Sequence, residues 1–120
     1  MSDQSDSLSY ALGKPGAWQD EPWEGDLVAK VGDKIFAFLG SGDGSSIGLK
    51  CGPTREVADE LLQRFPDDVS VMPYIGRSGW NTVRTGGAVG DDEIRELIDA
   101  SYDYVVSRLP KSRRPANMRE

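Results

Sequence analysis

The chain has 120 residues, the size of one ordinary domain, and its formal net charge is −6. It contains no histidine, which excludes Ser-His and Cys-His nucleophile pairs as well as histidine metal ligands. Its one cysteine, Cys51, excludes an internal disulfide and a thiolate zinc site. We therefore expect a protein that is not an enzyme and that holds no metal or cofactor.

The sequence also constrains location and partners. No apolar run approaches the roughly 20 residues that span a bilayer, and the polar segment 1–9 lacks the basic and apolar regions of a signal peptide. These features predict a cytoplasmic protein without membrane contact, and they favour a monomer. An acidic chain repels the phosphate backbone of nucleic acids as a whole, so DNA binding would require a local basic patch.

The N-terminal segment predicts little regular structure. Residues 1–11 are expected to be a flexible N-terminus or a short helix, which ends before a stretch rich in glycine and proline. Residues 15–25 show no apolar periodicity. They predict an ordered connection that Trp18 and Trp23 anchor.

The clearest local pattern is a β-hairpin. Two β-rich runs, residues 27–31 and 34–39, flank a Gly-Asp pair, and glycine at the first central position favours a type II′ turn. If Val31 pairs with Lys34, one face of the hairpin is apolar and is expected to pack in the core. That face consists of Leu27, Ala29, Val31, Phe36 and Phe38. The opposite face consists of Val28, Lys30, Ile35 and Ala37.

The rest of the chain alternates between strands and helices. After a Gly/Ser/Asp loop at 40–46, the predicted elements are a strand at 47–51, a helix capped by Thr54 and ended by Pro66, strands at 69–72 and 80–84, and a helix from Asp91 to Pro110. We thus predict one α+β domain at 12–110, in the order α-β(3)-α-β(2)-α, with an antiparallel sheet packed with helices. Residues 111–120 are expected to form a basic, mobile tail.

Several short motifs follow one another in an order typical of a known family. They are Lys14-Pro15-Gly16-Ala17, Lys30-Val31-Gly32-Asp33-Lys34-Ile35-Phe36-Ala37, Gly48-Leu49-Lys50, Trp80-Asn81-Thr82-Val83, Asp91-Asp92-Glu93, Ser101-Tyr102 and Leu109-Pro110-Lys111. This set, spread over residues 12–114, resembles the MmcQ/YjbR family. The resemblance implies a secretion-chaperone-like (YjbR-like) α+β fold. It also implies DNA binding through a double-wing arrangement of hairpins, which rests on analogy between folds.

The chain departs from the family pattern next to a tryptophan. Many relatives carry a basic residue followed by histidine there, whereas segment 76–79 of this chain reads Gly-Arg-Ser-Gly before Trp80. Arg77 can supply the basic residue, but any role of the imidazole is lost. The helix before Pro15 is also shorter than in the family pattern, which would expose sheet surface.

Two groups of residues are candidates for binding. Arg77, Trp80 and Asn81 combine a cation, an aromatic ring and an amide, which suits gripping an anion or stacking on a base; the other interpretation is a core tryptophan beside a solvated arginine. A basic surface for DNA would consist of Lys30, Lys34, Lys50, Arg77 and Arg84. Ordinary edge protection by solvated lysines is the alternative for that second group.

These candidates support three hypotheses. The sequence favours a non-enzymatic binding protein of the MmcQ/YjbR type that contacts DNA. One alternative is a protein- or peptide-interaction domain that uses an exposed apolar sheet face, and the other is a binder of small ligands or anions around Arg77 and Trp80. Cys51 is interpreted as a small buried hydrophobic residue.

Overall fold

A six-stranded antiparallel sheet and three α-helices make up the computed structural model, which describes residues 5–40 and 45–115. The helices are α1 (Ser5–Leu12), α2 (Arg55–Arg64) and α3 (Asp91–Arg108). The strands are β1 (Ala17–Trp23), β2 (Asp26–Val31), β3 (Lys34–Gly40), β4 (Ser46–Lys50), β5 (Val69–Val71) and β6 (Trp80–Arg84). They pair in the order β1-β2-β3-β4-β6-β5. The predicted α+β class with an antiparallel sheet is confirmed.

The predicted strand count is wrong, because the segment expected to be a connection forms strand β1. This strand lies at the edge of the sheet and pairs only with β2. Most of its side chains are exposed, so it carries no alternating apolar pattern that the sequence could reveal. An edge position also tolerates Pro22, which has no amide hydrogen to donate to a ladder. The order of elements is therefore α-β(4)-α-β(2)-α.

All three helices pack on one face of the sheet and share one core with it. The side chains of α3 that enter this core include the predicted Ile94, Ile98 and Val105. Ser101 on the same helix donates a hydrogen bond to the Phe36 carbonyl oxygen at 2.7 Å and accepts one from the backbone amide of residue 50 at 3.0 Å. The helix is thereby fixed to two neighbouring strands, β3 and β4.

The turn between β2 and β3 has the predicted geometry. Gly32 adopts a φ of 61°, a value that a type II′ turn requires and that glycine adopts without strain. Val31 pairs with Lys34 across this turn, as predicted.

The register beyond the turn differs from the prediction because β3 contains a bulge. Ala29 pairs with Ala37 instead of Phe36, so Phe36 is an extra residue on its strand. Phe36 is fully buried against the helices, whereas Phe38 lies on the opposite face. The prediction that both phenylalanines share one core face is therefore wrong, since one inserted residue reverses the alternation that follows it.

The chain continues past α3 with a 3₁₀ turn (Lys111–Arg113) that packs near the β2–β3 turn. The Arg113 guanidinium lies 3.3 Å from the Asp33 carboxylate. The sequence predicts a mobile tail here, and this part of it forms a 3₁₀ turn whose residues are exposed. Residues 116–120 of the predicted tail and residues 41–44 of the predicted loop lie outside the described residues, so mobility of the tail stays a prediction.

Candidate functional site: an apolar groove on the open sheet face

The face of the sheet that carries no helix, which we call the open face, contains a groove of about 700 Å³. One wall is the end of the β1–β2 hairpin, and the other is the loop of residues 72–75 that follows β5. Pockets that bind small molecules or side chains commonly measure about 300–1,000 Å³. The groove thus has the volume of a ligand site.

The floor of the groove is built by one row of residues across three strands. Phe38 of β3 pairs with Gly48 of β4, which in turn pairs with Thr82 of β6. A Cβ atom on Gly48 would lie 2.7 Å from the Met72 sulfur, so glycine is required for Met72 to reach the sheet. The Met72 side chain therefore covers Gly48 and forms part of the floor beside Phe38.

Two exposed aromatic side chains stand at the walls of the groove. Trp23 is 57% exposed on the β1–β2 side, and Tyr74 is fully exposed on the opposite loop. Tyr74 has a φ of 68°, a left-handed conformation that costs a non-glycine residue about 1–2 kcal/mol. Large apolar surface and a strained backbone both concentrate at binding sites. The sequence predicts Trp23 as an anchor but carries no signal for Tyr74 across the groove.

The described lining of the groove is almost free of charge. Among the described residues that line it, Asp26 is the one with a charged side chain. Asp26 is exposed and directly pairs with Trp23 across the hairpin. No ion pair within residues 5–40 and 45–115 involves its carboxylate. An apolar cleft with one free carboxylate at its rim is therefore the main chemical feature of the open face.

The strand lysines predicted to form a basic surface have different surroundings. The Lys30 ammonium lies 2.8 Å from the Asp20 carboxylate and 5.2 Å from the centroid of the Trp18 ring. Lys34 is exposed at the start of β3. Lys50 is only 7% exposed. These lysines thus do not present three equivalent charges to solvent.

Lys50 serves as a packing residue in this structure. Its ammonium donates a hydrogen bond to the Ser78 carbonyl oxygen and lies 4.7 Å from the centroid of the Tyr104 ring. It thereby connects the end of β4 to α3 and to the segment before β6. A phosphate group could not reach this ammonium without displacing those contacts.

The predicted cluster of Arg77, Trp80 and Asn81 is divided between different environments. Trp80 is half-buried and meets Phe38 edge-on, with 5.4 Å between ring centroids. Arg77 is exposed in a 3₁₀ turn, and no cation–π contact among the described residues joins it to Trp80. The three side chains therefore do not form one pocket.

Asn81 is fully buried and bonded within the protein. Its amide donates to the Ala58 carbonyl oxygen at 3.0 Å, and its oxygen accepts a hydrogen bond from Arg55. Arg55 also donates to the Gly76 carbonyl oxygen at 2.7 Å. This network holds α2 against β6, which makes Asn81 a structural residue rather than a surface for ligands.

Arg84 lies at the other end of β6 from Trp80. It pairs with Ser46 across the sheet, whereas Trp80 pairs with Lys50 at the far end of β4. Its guanidinium is 3.6 Å from the Asp68 carboxylate. The basic residues proposed from the sequence are thus spread over both ends of the sheet.

Cys51 follows β4 and is partly buried against the core. Burial raises the pKa of its thiol to about 11, because desolvation disfavours the charged thiolate. No group of three or more cysteine, aspartate or glutamate side chains in the described part of the chain could hold a metal ion. The helices within that part include none that is both long and apolar enough to cross a membrane.

Comparison with known proteins identifies the relatives of this chain. The YjbR family profile matches residues 12–104. The chain belongs to the YjbR family. Similar sequences are the "Uncharacterized protein YjbR" of Escherichia coli K12 and of Escherichia coli O157:H7, each 34% identical over 113 residues, which is 92% of this chain and 92% of the relative. The resemblance noted in the sequence is thereby confirmed.

Solved structures agree with this family assignment. A crystal structure of a Deinococcus radiodurans protein with domain DUF419 has a TM-score of 0.80 and 26% identity, over 94% of this chain and 86% of that protein. A Pseudomonas syringae protein has a TM-score of 0.66 and 24% identity, over 86% of this chain and 98% of that one. The second similarity supports the fold alone. Both support the YjbR-like α+β architecture.

Proposed function

We propose that this YjbR-family chain is a non-enzymatic binding protein that holds an apolar segment of a protein partner in its groove. The observation that carries the proposal is the pair of exposed aromatic side chains, Trp23 and Tyr74, on opposite walls of an apolar cleft. Isolated aromatic side chains of this size normally bury their area, since each removes about 150–250 Å² of surface from water. Their exposure above a concave floor is typical of a surface that a partner covers.

The groove suits an extended peptide better than a rigid small molecule. It runs across several strands, from the β1–β2 hairpin to the loop at residues 72–75. Side chains of an extended peptide alternate in direction, so every second apolar residue can enter a groove of this kind.

A titration with blocked heptapeptides tests this function. The probe is a fluorescein-labelled pool in which leucine, isoleucine, valine and phenylalanine are randomised around a fixed central residue, and fluorescence anisotropy reports binding. We expect the double variant Trp23→Ala/Tyr74→Ala to bind at least about tenfold more weakly, because anchor aromatics contribute about 2 kcal/mol or more at interfaces. Both side chains are exposed, so the variant should fold.

Trp18→Ala is the matched control. Trp18 lies on the same strand as Trp23 and is also exposed, at 44%, but it does not line the groove. We expect this variant to bind the pool as the parent chain does. Equal binding by the parent and the double variant, or an equal loss in the Trp18 variant, would contradict the proposed site.

DNA binding is a second candidate, and one specific observation favours it. The 3₁₀ turn Lys111–Arg113 packs next to the β2–β3 turn, where Lys34 is exposed, so several cations gather at one end of the molecule. Such a cluster is the local patch that an acidic protein would need. Against it, Asp33 lies in the same cluster and Lys30 is already paired with Asp20.

A salt titration separates this candidate from the first. Labelled duplex DNA is titrated at low and then at higher salt with the parent chain and with the double variant Lys34→Glu/Arg113→Glu. If the cluster binds phosphate, affinity falls steeply with salt and disappears in the variant. Arg84→Glu is the control and should retain binding. Arg84 pairs with Ser46, at the end of the sheet away from the β2–β3 turn. Absence of binding at low salt would eliminate the DNA candidate.

The remaining candidate, a small-ligand site around Arg77 and Trp80, has less support. No cation–π contact among the described residues joins the two side chains, and the ring of Trp80 packs edge-on against Phe38. We therefore assign binding to the groove in preference to that position.

A further inference from the structure

We propose that the groove selects a peptide segment in which one lysine or arginine lies between apolar residues. This inference rests on the proposed function and names the chemistry of the partner. The cation would lie between the Trp23 ring and the Asp26 carboxylate, and the flanking apolar side chains would cover the floor formed by Phe38 and Met72.

The charge of the groove favours a positively charged ligand. Asp26 supplies the charge among the described lining residues, and it has no cationic partner within the described part of the chain. A ligand with a carboxylate would be repelled, and a neutral one would leave the carboxylate beside a desolvated surface. A ligand with one positive charge complements the rim, and the net charge of −6 steers cations toward the protein.

The same pair of strands already holds a cation between a tryptophan ring and a carboxylate. At the other end of the β1–β2 ladder, Trp18 and Asp20 hold the Lys30 ammonium between a ring and a carboxylate, at 5.2 Å and 2.8 Å. Trp23 and Asp26 repeat the tryptophan and the aspartate at the groove. No described residue supplies a cation to them, whereas Lys30 supplies one to the first pair.

The physics of the site explains why ring and carboxylate act together. A cation over the face of a tryptophan at an exposed site strengthens binding only about two- to fivefold, and more as water is removed. An exposed ion pair alone contributes about as little. Neither term by itself gives selective binding, but an apolar segment that covers the groove would exclude water from both. Selectivity for a cation therefore depends on the apolar residues beside it.

The test uses three pools of the labelled heptapeptides described above, with lysine, acetyl-lysine or glutamate fixed at the centre. Acetyl-lysine keeps the length of the side chain and removes its charge. We expect the lysine pool to bind the parent chain roughly fivefold more tightly than the acetyl-lysine pool, and the glutamate pool to bind most weakly. The advantage of lysine should decrease at high salt.

Asp26→Asn should abolish the difference between the lysine and acetyl-lysine pools without reducing binding of the acetyl-lysine pool. Glu24→Gln is the matched control, because Glu24 lies in the same turn, is exposed, and does not line the groove. It removes the same net charge and should keep the preference for lysine. Both positions are exposed, so circular dichroism should show unchanged folding.

The outcomes distinguish this inference from the proposed function. If all pools bind equally and all are lost in the Trp23→Ala/Tyr74→Ala variant, the groove binds apolar peptides but the charge preference is wrong. If the preference persists in Asp26→Asn, or disappears equally in Glu24→Gln, the assignment to Asp26 is overturned. If no pool binds the parent chain, both the inference and the proposed function fail.

Discussion

Side chains of the same type are buried to different extents on the two faces of the sheet. On the helix-covered face, Phe36 is fully buried and meets Tyr102 edge-on, with 5.2 Å between centroids. On the open face, Phe38 meets Trp80 at 5.4 Å but stays partly exposed above an apolar groove. The first face packs against the three helices of the chain, and the second carries no helix. The comparison indicates that one face serves stability and that the other leaves apolar side chains open to solvent.

The largest expected effect comes from truncating the two phenylalanines in turn. Phe36→Ala should lower the free energy of unfolding by about 4 kcal/mol, because it removes a fully buried ring and leaves a cavity. Phe38→Ala should cost about 1–2 kcal/mol, since part of its surface already contacts water. Urea denaturation followed by circular dichroism measures both values. Similar costs for the two variants would abolish the distinction between the faces.

Neighbouring residues on β6 sharpen the comparison. Asn81→Ala should lower the free energy of unfolding by about 2–3 kcal/mol, because it leaves the buried Ala58 carbonyl oxygen and an Arg55 donor without their partner. Thr82→Ala, one residue along on the groove floor, should cost less than about 1 kcal/mol. Denaturation at matched conditions compares the pair. A larger cost at Thr82 would show that the open face also serves stability.

A smaller, pH-dependent effect is expected where α1 meets α3. Burial alone would raise the pKa of Asp99, but hydrogen bonds from Lys14 and Tyr10 lower it on balance from its ordinary value of 3.8. A pKa lowered by folding stabilises the protein above the unfolded value, and this contribution is lost as the pH falls through the folded value. Asp99→Asn should therefore cost roughly 0.5 kcal/mol near pH 7, reduced by the 40% exposure of the carboxylate.

Denaturation from pH 7 down to about pH 2 follows this effect. The difference between the parent chain and Asp99→Asn should decrease once the pH passes below about 4 and should vanish at the acid end. Lys34→Gln is the control, because Lys34 is exposed and takes part in none of the ion pairs among the described residues, and it should show no such trend. A constant difference across this range would contradict the assigned role of the Lys14–Asp99 pair.

The smallest effect concerns reactivity rather than stability. Because burial raises the pKa of the Cys51 thiol to about 11, its thiolate is rare near neutral pH. Alkylation by iodoacetamide at pH 8 should be roughly 100-fold slower than for the same chain unfolded in guanidinium, as measured by mass spectrometry. Equal rates in the two states would show that this end of β4 is open to solvent.

Much of the fold followed from short-range patterns. The cap at Thr54, the type II′ turn at Gly32 and the strand Trp80–Arg84 are set by local backbone chemistry, so the sequence predicts them correctly. The long helix α3 begins at the predicted Asp91 because its apolar period is strong. The ordered motifs also predicted the family. Each of these features depends on residues that are close together in the chain.

The candidate site depended on contacts that no local pattern encodes. Strand β1 exists because β2 offers it a partner, and the bulge at Phe36 turns Phe38 away from the core. Lys50 and Asn81 resemble surface residues in the sequence, yet tertiary packing buries both. The groove results from strand order, which places Gly48 between Phe38 and Thr82. The sequence determined most of the elements through local backbone preferences, while strand β1, the two faces, the groove and the position of the Asp26 carboxylate at its rim were decided by long-range pairing across the sheet.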